Sequence, residues 1–207
     1  MARAQYDISG VLPSAWKSKL IPSWSIEGGL LKGSKIVYSE HKNLQRSALA
    51  WVVDKVDRHD LPYMVVGGLA ATAHGGSRPL HDIDLYAPFA HSNWSNFLTS
   101  ISKYVVWGPQ SVVDGQWDLT YLKIDYHGQR IEIGDCDDVL LKNGETGAWI
   151  RQRIDIEHSV SRSVLGRDVN VMPLQQLIEY KRVLGRDVDQ QDIQELTGGP
   201  PFPQNRA

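Results

Sequence analysis

The sequence is poor in cysteine and in long apolar runs, and both features restrict what the protein can be. Cys136 is the only cysteine among 207 residues, which excludes an internal disulfide framework and a zinc site made of cysteines alone. No apolar run approaches the ~20 residues that a membrane-spanning helix needs. No apolar stretch of the signal-peptide type follows Met1. We therefore expect a cytoplasmic protein with no membrane partner.

Charge is nearly balanced over the whole chain but is unevenly distributed along it. The formal net charge is −2, yet residues 1–46 carry seven Lys or Arg against three acidic residues. A basic arm beside an acidic body can contact a polyanion. Scattered lysines can also simply keep a poorly packed segment in solution, and we favour this second interpretation.

Hydrophobic periodicity divides the chain into an arm, one domain and a tail. Residues 1–37 are predicted to be an irregular basic arm, residues 38–197 one domain that includes the C-terminal helices, and residues 198–207 a disordered tail. Helices are expected at 40–59, 69–74, 93–104, 174–184 and 189–196, and strands at 63–66, 81–86, 119–126, 129–133 and 164–172, the last broken at Gly166. This order predicts an α+β (mixed α/β) fold.

Two aspartates separated by one residue are the clearest chemical signal. Asp82 and Asp84 lie in an alternating segment, and side chains at i and i+2 of a strand share a face about 6 to 7 Å apart. Ile83 and Leu85 then face the core. Adjacent carboxylates repel unless a cation lies between them, and Mg²⁺ prefers oxygen ligands while keeping waters and substrate phosphates. The pair predicts metal-dependent phosphoryl or nucleotidyl transfer.

A glycine pair and an arginine precede these aspartates. Gly67-Gly68 lies between an apolar strand and a helix, where free backbone N–H groups can hold phosphate and glycine permits close approach. Arg78 can add a bidentate contact to a triphosphate. A surface turn and a solvated strand are the structural alternatives, but the order of these parts favours a functional site. The sequence has no Gly-Lys-Ser/Thr motif, which argues against a P-loop ATPase.

This stretch resembles a known family. Gly67-Gly68, thirteen intervening residues and then Asp82-Ile83-Asp84-Leu85 are similar to the signature of the nucleotidyltransferase superfamily, which has the polymerase-β-like fold. The segment from Arg78 is most like the bacterial branch of antibiotic nucleotidyltransferases and abortive-infection toxins, although Leu80 stands where threonine is common. The resemblance implies a nucleotidyltransferase-type mixed sheet flanked by helices. It also implies a cofactor of two Mg²⁺ ions, with an NTP such as ATP as substrate.

The resemblance further implies a third carboxylate on a later strand, which acts as general base. The segment GQRIEIGDCDD offers Glu132, between two isoleucines, and Asp135. In the family this acid is flanked by apolar residues, so we choose Glu132, for which an outward-facing hairpin position is the alternative. Asp82, Asp84 and Glu132 are then the expected catalytic residues and metal ligands.

A second patch of resemblance covers residues 172–193. Related chains often carry a helical lysine followed by Arg-x-x-Asp-x-x-Asp, and here Lys181, Arg186, Asp189 and Asp192 occupy these places. By resemblance, Lys181 reaches the triphosphate of the nucleotide. For the other three we favour ion pairs that fix the C-terminal helices. The predicted nucleotide-binding residues are therefore Gly67, Gly68, Arg78 and Lys181.

The expected activity is transfer of an NMP from an NTP to an acceptor hydroxyl with release of pyrophosphate. The resemblance allows tRNA or another RNA, a protein, or an aminoglycoside-like small molecule as acceptor, and a toxin-like role with an antitoxin-like protein partner. The alternative is a non-catalytic module that keeps the fold and binds a nucleotide or a protein. A Glu132 side chain close to Asp82 and Asp84 favours the enzyme, whereas one on the far face favours the module.

Overall fold

Five helices and nine strands form residues 34–198, the part of the chain that the computed structural model describes, with side chains described from residue 41. The helices are α1 (Ser34–Arg58), α2 (Gly67–Ala73), α3 (Trp94–Ile101), α4 (Leu174–Leu184) and α5 (Asp187–Thr197). The strands are β1 (Met64–Val65), β2 (Asp82–Ala87), β3 (Val105–Asp114), β4 (Trp117–Tyr126), β5 (Gln129–Asp135), β6 (Leu140–Lys142), β7 (Trp149–Arg151), β8 (Val160–Val164) and β9 (Arg167–Val171). The predicted arm and tail lie outside the described residues, except that 34–37 begin α1 and Gly198 ends α5.

All nine strands belong to one mixed sheet whose order differs from the chain order. The strands follow one another as β7-β6-β4-β5-β2-β1-β9-β8, and β3 pairs with β4 outside this path. The β2–β5 and β1–β9 pairs are parallel, and the others are antiparallel. Helix α1 packs on β5, β9 and α3, while α2 contacts β2 and α4. This confirms the predicted α+β fold, in which helices flank a mixed sheet and the last two elements of the described residues are helices.

Helices α1 and α3 bury an apolar face, which is why their positions follow from the sequence, whereas α5 buries Asp189 and Asp192. In α1 the buried residues recur at helical spacing: Ala48, Leu49, Val52, Val53 and Val56. Helix α4 ends at Gly185, whose φ of 65° is the left-handed conformation that glycine adopts without strain. Over residues 34–198, no helix combines the length and the apolar character needed to cross a bilayer.

Three differences from the predicted elements have local causes. The ten-residue strand β3 is missing from the prediction because Gly108 and Pro109 interrupt its pattern, and the register shifts around them accommodate both residues. The strand predicted over 164–172 is instead the end of β8, a turn and β9. Leu165 and Gly166 have φ values of 53° and 79°, as a two-residue hairpin turn requires. The helix predicted over 93–104 ends at Ile101 and continues as a 3-10 turn over Ser102–Tyr104.

Candidate active site

Four charged side chains form a two-by-two array on one face of β2 and β5. Asp82 and Asp84 alternate with buried residues along β2, and Arg130 and Glu132 do the same along β5. The parallel register pairs Asp82 with Arg130 and Asp84 with Glu132. Ile83, between the two aspartates of β2, and Ile131, between Arg130 and Glu132 on β5, are buried in the core, as the alternation predicts. Three carboxylates and one guanidinium therefore share a small area of the sheet.

The register also distinguishes the two candidates for the third carboxylate. Glu132 lies opposite Asp84 on the array face, whereas Asp135 lies an odd number of residues further and faces the other way. Asp135 is buried, and its Oδ1 accepts hydrogen bonds from the backbone N–H groups of Phe89 at 3.1 Å and Asp137 at 3.3 Å. The structure thus brings Glu132, and not Asp135, next to the two aspartates.

Two basic side chains that were not predicted from the sequence contact the carboxylates of this array. The Arg130 guanidinium donates to Oδ2 of Asp82, and its Nε lies 3.7 Å from Oε1 of Glu132. Lys123 on β4 stands opposite Glu132, with Nζ 4.0 Å from the same oxygen. Both could have been found in the sequence. Arg130 precedes Glu132 by two residues on one strand, and the two-residue turn after Tyr126 sets the hairpin register that faces Lys123 with Glu132.

Burial and mutual repulsion make these carboxylates hard to ionise together. Burial, followed by the charges of Asp82 and Glu132, raises the pKa of Asp84 to about 8. Burial also raises the pKa of Glu132, although the neighbouring Arg130 and Lys123 act in the opposite direction. A divalent cation among the three would relieve the repulsion, and carboxylate oxygens are the ligands that Mg²⁺ prefers. Asp82, Asp84 and Glu132 therefore offer the kind of donor that Mg²⁺ prefers, and they could hold such an ion.

A second acidic cluster does not make a comparable site. The donor atoms of Asp135, Cys136 and Asp137 lie within 4.8 Å of one another. However, Asp135 is engaged by backbone N–H groups, and burial together with the nearby carboxylates raises the pKa of Cys136 to about 12. The thiolate that a metal would need is therefore scarce at neutral pH.

The glycine pair lies beside the array for a steric reason. Gly67 has a φ of 63° at the start of α2, and a Cβ on it would overlap Oδ2 of Asp84. A Cβ on Gly68 would come within 2.7 Å of a guanidinium nitrogen of Arg78. Any larger residue at position 67 would therefore displace the Asp84 carboxylate, which makes this glycine a requirement of the site.

The remaining predicted site residues form a buried ionic network. Lys181 is 1% exposed, and its Nζ lies 3.3 Å from Oδ1 of Asp189 and 2.7 Å from Oδ2 of Asp192. Arg78 donates from Nε to Asp192 at 3.0 Å, and Arg186 donates from Nε to Asp189 at 2.6 Å. These contacts confirm the interpretation of Arg186, Asp189 and Asp192 as ion pairs. Direct contact between Lys181 and a triphosphate would require this lysine to leave two carboxylates.

A cleft of about 370 Å³ opens over the array, which is a size that suits a small-molecule ligand. Asp82, Asp84, Glu132 and Gly67 line it, whereas Gly68, Arg78 and Lys181 do not. Strand β4 contributes Trp117, Tyr121 and Lys123 to the lining of the cleft. The Trp117 ring lies 4.9 Å from the Arg186 guanidinium, and its Nε1–H donates to the hydroxyl of Tyr180. The cleft thus combines acidic, basic and aromatic groups.

The sequence matches no family model and no curated protein. A candidate nucleotidyltransferase from Thermotoga maritima is similar in structure, with a TM-score of 0.55, 17% identity, and coverage of 73% of this chain and 91% of its own. The chain has the nucleotidyltransferase fold. The lincosamide antibiotic adenylyltransferase LnuA has a TM-score of 0.48, 13% identity, and coverage of 72% of this chain and 94% of its own. ANT(2")-Ia in complex with adenylyl-2"-tobramycin has a TM-score of 0.46 and 14% identity, with coverage of 74% of this chain and 88% of its own. The last two similarities are too weak to argue from.

Replacement of Asp84 by asparagine is expected to stabilise the metal-free protein. An acid whose folded pKa lies near 8 instead of 3.8 keeps a proton that the unfolded chain has lost, so wild-type stability falls as pH rises between these values. Asp84→Asn removes this loss and should raise the free energy of unfolding at pH 8 by about 2 kcal/mol, a value reduced because the cleft admits water.

Urea denaturation in EDTA between pH 5 and pH 9 measures this effect. The exposed Asp168 on β9 provides a matched control, and Asp168→Asn should leave both the stability and its pH slope unchanged. The raised pKa of Asp84 would be contradicted as the cause if the stability of Asp84→Asn depended on pH as strongly as that of the wild type, or if this variant were less stable than the wild type at pH 8.

Replacement of Lys181 by methionine is expected to destabilise the fold by about 3 kcal/mol, because it leaves two buried carboxylates with one cation each. Arg182→Met, at the next and exposed position of α4, should change the stability by less than about 0.5 kcal/mol. Thermal and urea unfolding measure both variants. A Lys181→Met protein of wild-type stability that binds ATP more weakly would instead support the predicted contact with the triphosphate.

Proposed function

We propose that this protein is a Mg²⁺-dependent nucleotidyltransferase that moves an NMP from an NTP to an acceptor hydroxyl. The observation that carries the proposal is the array face, on which Glu132 stands directly opposite Asp84 with Asp82 beside them, at the base of a cleft. The nucleotidyltransferase fold of the chain adds support to an activity of this class.

Asp82, Asp84 and Glu132 would hold the metal, for which the resemblance implies two Mg²⁺ ions. The metal's role in such chemistry is to neutralise phosphate oxygens and the charge that develops on them. The backbone at Gly67 and Gly68 would face the phosphates at the start of α2. Arg78 and Lys181 would act through the network that holds α5 against the segment after α2, since both side chains are paired with Asp192.

Glu132 would take the proton from the acceptor hydroxyl while the oxygen of that hydroxyl attacks the α-phosphorus. A new P–O bond then forms to the acceptor, the bond to the β-phosphate oxygen breaks, and pyrophosphate leaves. A general base works best with a pKa near the operating pH, and the raised pKa of Glu132 moves this group in that direction. Glu132 is therefore the proposed proton acceptor.

An acceptor that reaches Glu132 would also meet Lys123, whose Nζ lies 4.0 Å from Oε1 of Glu132. The classes that the resemblance allows, RNA, protein and an aminoglycoside-like small molecule, stay predictions. So do the toxin-like role, the antitoxin-like partner and the cytoplasmic location. The alternative of a non-catalytic module is disfavoured by the position of Glu132, because the array face would then carry mutual repulsion with no chemical use.

Calorimetric titration with each of the four NTPs, with and without Mg²⁺, tests the site. We expect Mg²⁺-dependent binding of at least one NTP to the wild type. The Asp82→Ala/Asp84→Ala variant should bind it about 100-fold more weakly or worse, since loss of outer-sphere partners alone weakens metal sites by about 10- to 100-fold. The Asp168→Ala variant serves as control. Binding that needs no Mg²⁺ and survives in the double variant would favour the binding module.

Replacement of Glu132 by glutamine is expected to slow transfer without loss of nucleotide binding. Removal of a general base lowers the rate by about 10²- to 10⁴-fold. Label transfer from α-³²P-labelled NTP to tRNA, to protein and to aminoglycosides measures the rate, with the exposed Glu157→Gln as matched control. Transfer by Glu132→Gln at the wild-type rate would remove Glu132 from its proposed role.

A further inference from the structure

Arg130 contacts two of the three carboxylates that the proposed metal site needs. Its guanidinium donates to Oδ2 of Asp82, and its Nε lies 3.7 Å from Oε1 of Glu132. Both carboxylates are among the three expected ligands. A guanidinium and a dication bound to the same carboxylates repel one another and compete for oxygen lone pairs, so each weakens the binding of the other.

The backbone directs the Arg130 side chain towards both carboxylates. Arg130 and Glu132 are two residues apart on β5 and share its array face, and Arg130 is the register partner of Asp82 on β2. The side chain therefore leaves the sheet next to both carboxylates, and its rotamer decides whether the guanidinium contacts them.

Exposure separates Arg130 from the other cation at the array. The Arg130 side chain is 54% exposed, so it can move into solvent without opening a cavity. Lys123 instead lies over the rings of Trp107 at 5.6 Å and Tyr121 at 5.3 Å, and its Nζ is 4.0 Å from Glu132. These ring contacts hold Lys123 in place. Arg130 is therefore the cation that can leave.

We propose that Arg130 competes with the divalent metal for Asp82 and Glu132, and that the nucleotide relieves this competition by offering phosphate oxygens to the displaced guanidinium. This inference rests on the proposed function. Its consequence is that metal and nucleotide each strengthen the binding of the other, because coupling between two ligands is reciprocal. Arg130 then acts as a positioning residue that makes tight metal binding conditional on substrate.

Titration with Mn²⁺ alone, followed by the electron paramagnetic resonance signal of the free ion, tests the inference without an activity assay. Arg130→Gln should bind Mn²⁺ at least about tenfold more tightly than the wild type, because a positive charge within a few ångströms of a dication is removed. Arg162→Gln, an exposed substitution on the edge strand β8, three strands away from β2, should leave the affinity unchanged. Arg130→Lys keeps the charge and should stay nearer to the wild type.

A second titration in the presence of α,β-methylene-ATP measures the coupling. In the wild type this analogue should strengthen Mn²⁺ binding, and in Arg130→Gln the strengthening should be about tenfold smaller. Circular dichroism of each variant confirms that it is folded, and Arg130→Lys provides the same comparison should the glutamine variant unfold.

The Asp84→Asn variant separates failure of this inference from failure of the proposed function. If Asp84→Asn loses Mn²⁺ binding while Arg130→Gln binds as the wild type does, the competition is overturned and the metal site stands. If Asp84→Asn binds Mn²⁺ as the wild type does, the metal site itself is overturned, and the competition with it. If neither the wild type nor Arg130→Gln binds Mn²⁺, both ideas fail.

Discussion

Mutual repulsion among three carboxylates is the constraint around which the cleft is built. The parallel pairing of β2 with β5 fixes Asp84 beside Glu132, and the core beneath these strands prevents the charges from spreading apart. Burial first, and then the charges of Asp82 and Glu132, raise the pKa of Asp84. Arg130 and Lys123 offset part of this repulsion at the rim. Local electrostatics that oppose folding are typical of functional sites, which is why the array, and not the ionic network, carries the proposed chemistry.

The ionic network has a different task, which is to hold three segments in a fixed relation. Asp192 receives Arg78 from the segment after α2 and Lys181 from α4, so it joins both to α5. Asp189 pairs with Lys181 and with Arg186, and the guanidinium of Arg186 lies over the Trp117 ring at the cleft. Buried ion pairs add little net stability compared with apolar packing, but breaking one is costly. Lys181 does not line the cleft, but through Asp189 it is connected to Arg186 and Trp117, which do.

The sequence was sufficient wherever the structure depends on local pattern. Alternation around Ile83 predicted the shared face of the two aspartates, and the turn after Tyr126 predicted the hairpin of β4 and β5. Asp84 and Glu132 are neighbours because β2 pairs with β5, which brings together residues 48 positions apart in the sequence. Hydrophobic periodicity carries no information about such pairing, and only the resemblance predicted it. Strand β3 escaped prediction because Gly108 and Pro109 resemble a turn. Arg130 was missed because its importance comes from its partner strand.

Charge balance limits how this donor set can be filled. With all members ionised, Asp82, Asp84, Glu132 and Arg130 carry a formal charge of −2, which the neighbouring Lys123 reduces to −1. The two proposed dications would leave this region strongly positive unless an anion entered with them, and the proposed nucleoside triphosphate would supply that anion. Displacement of Arg130 towards the phosphates would bring its positive charge close to the added negative charge. The charge balance of the array therefore favours binding of the two proposed ions together with the nucleotide.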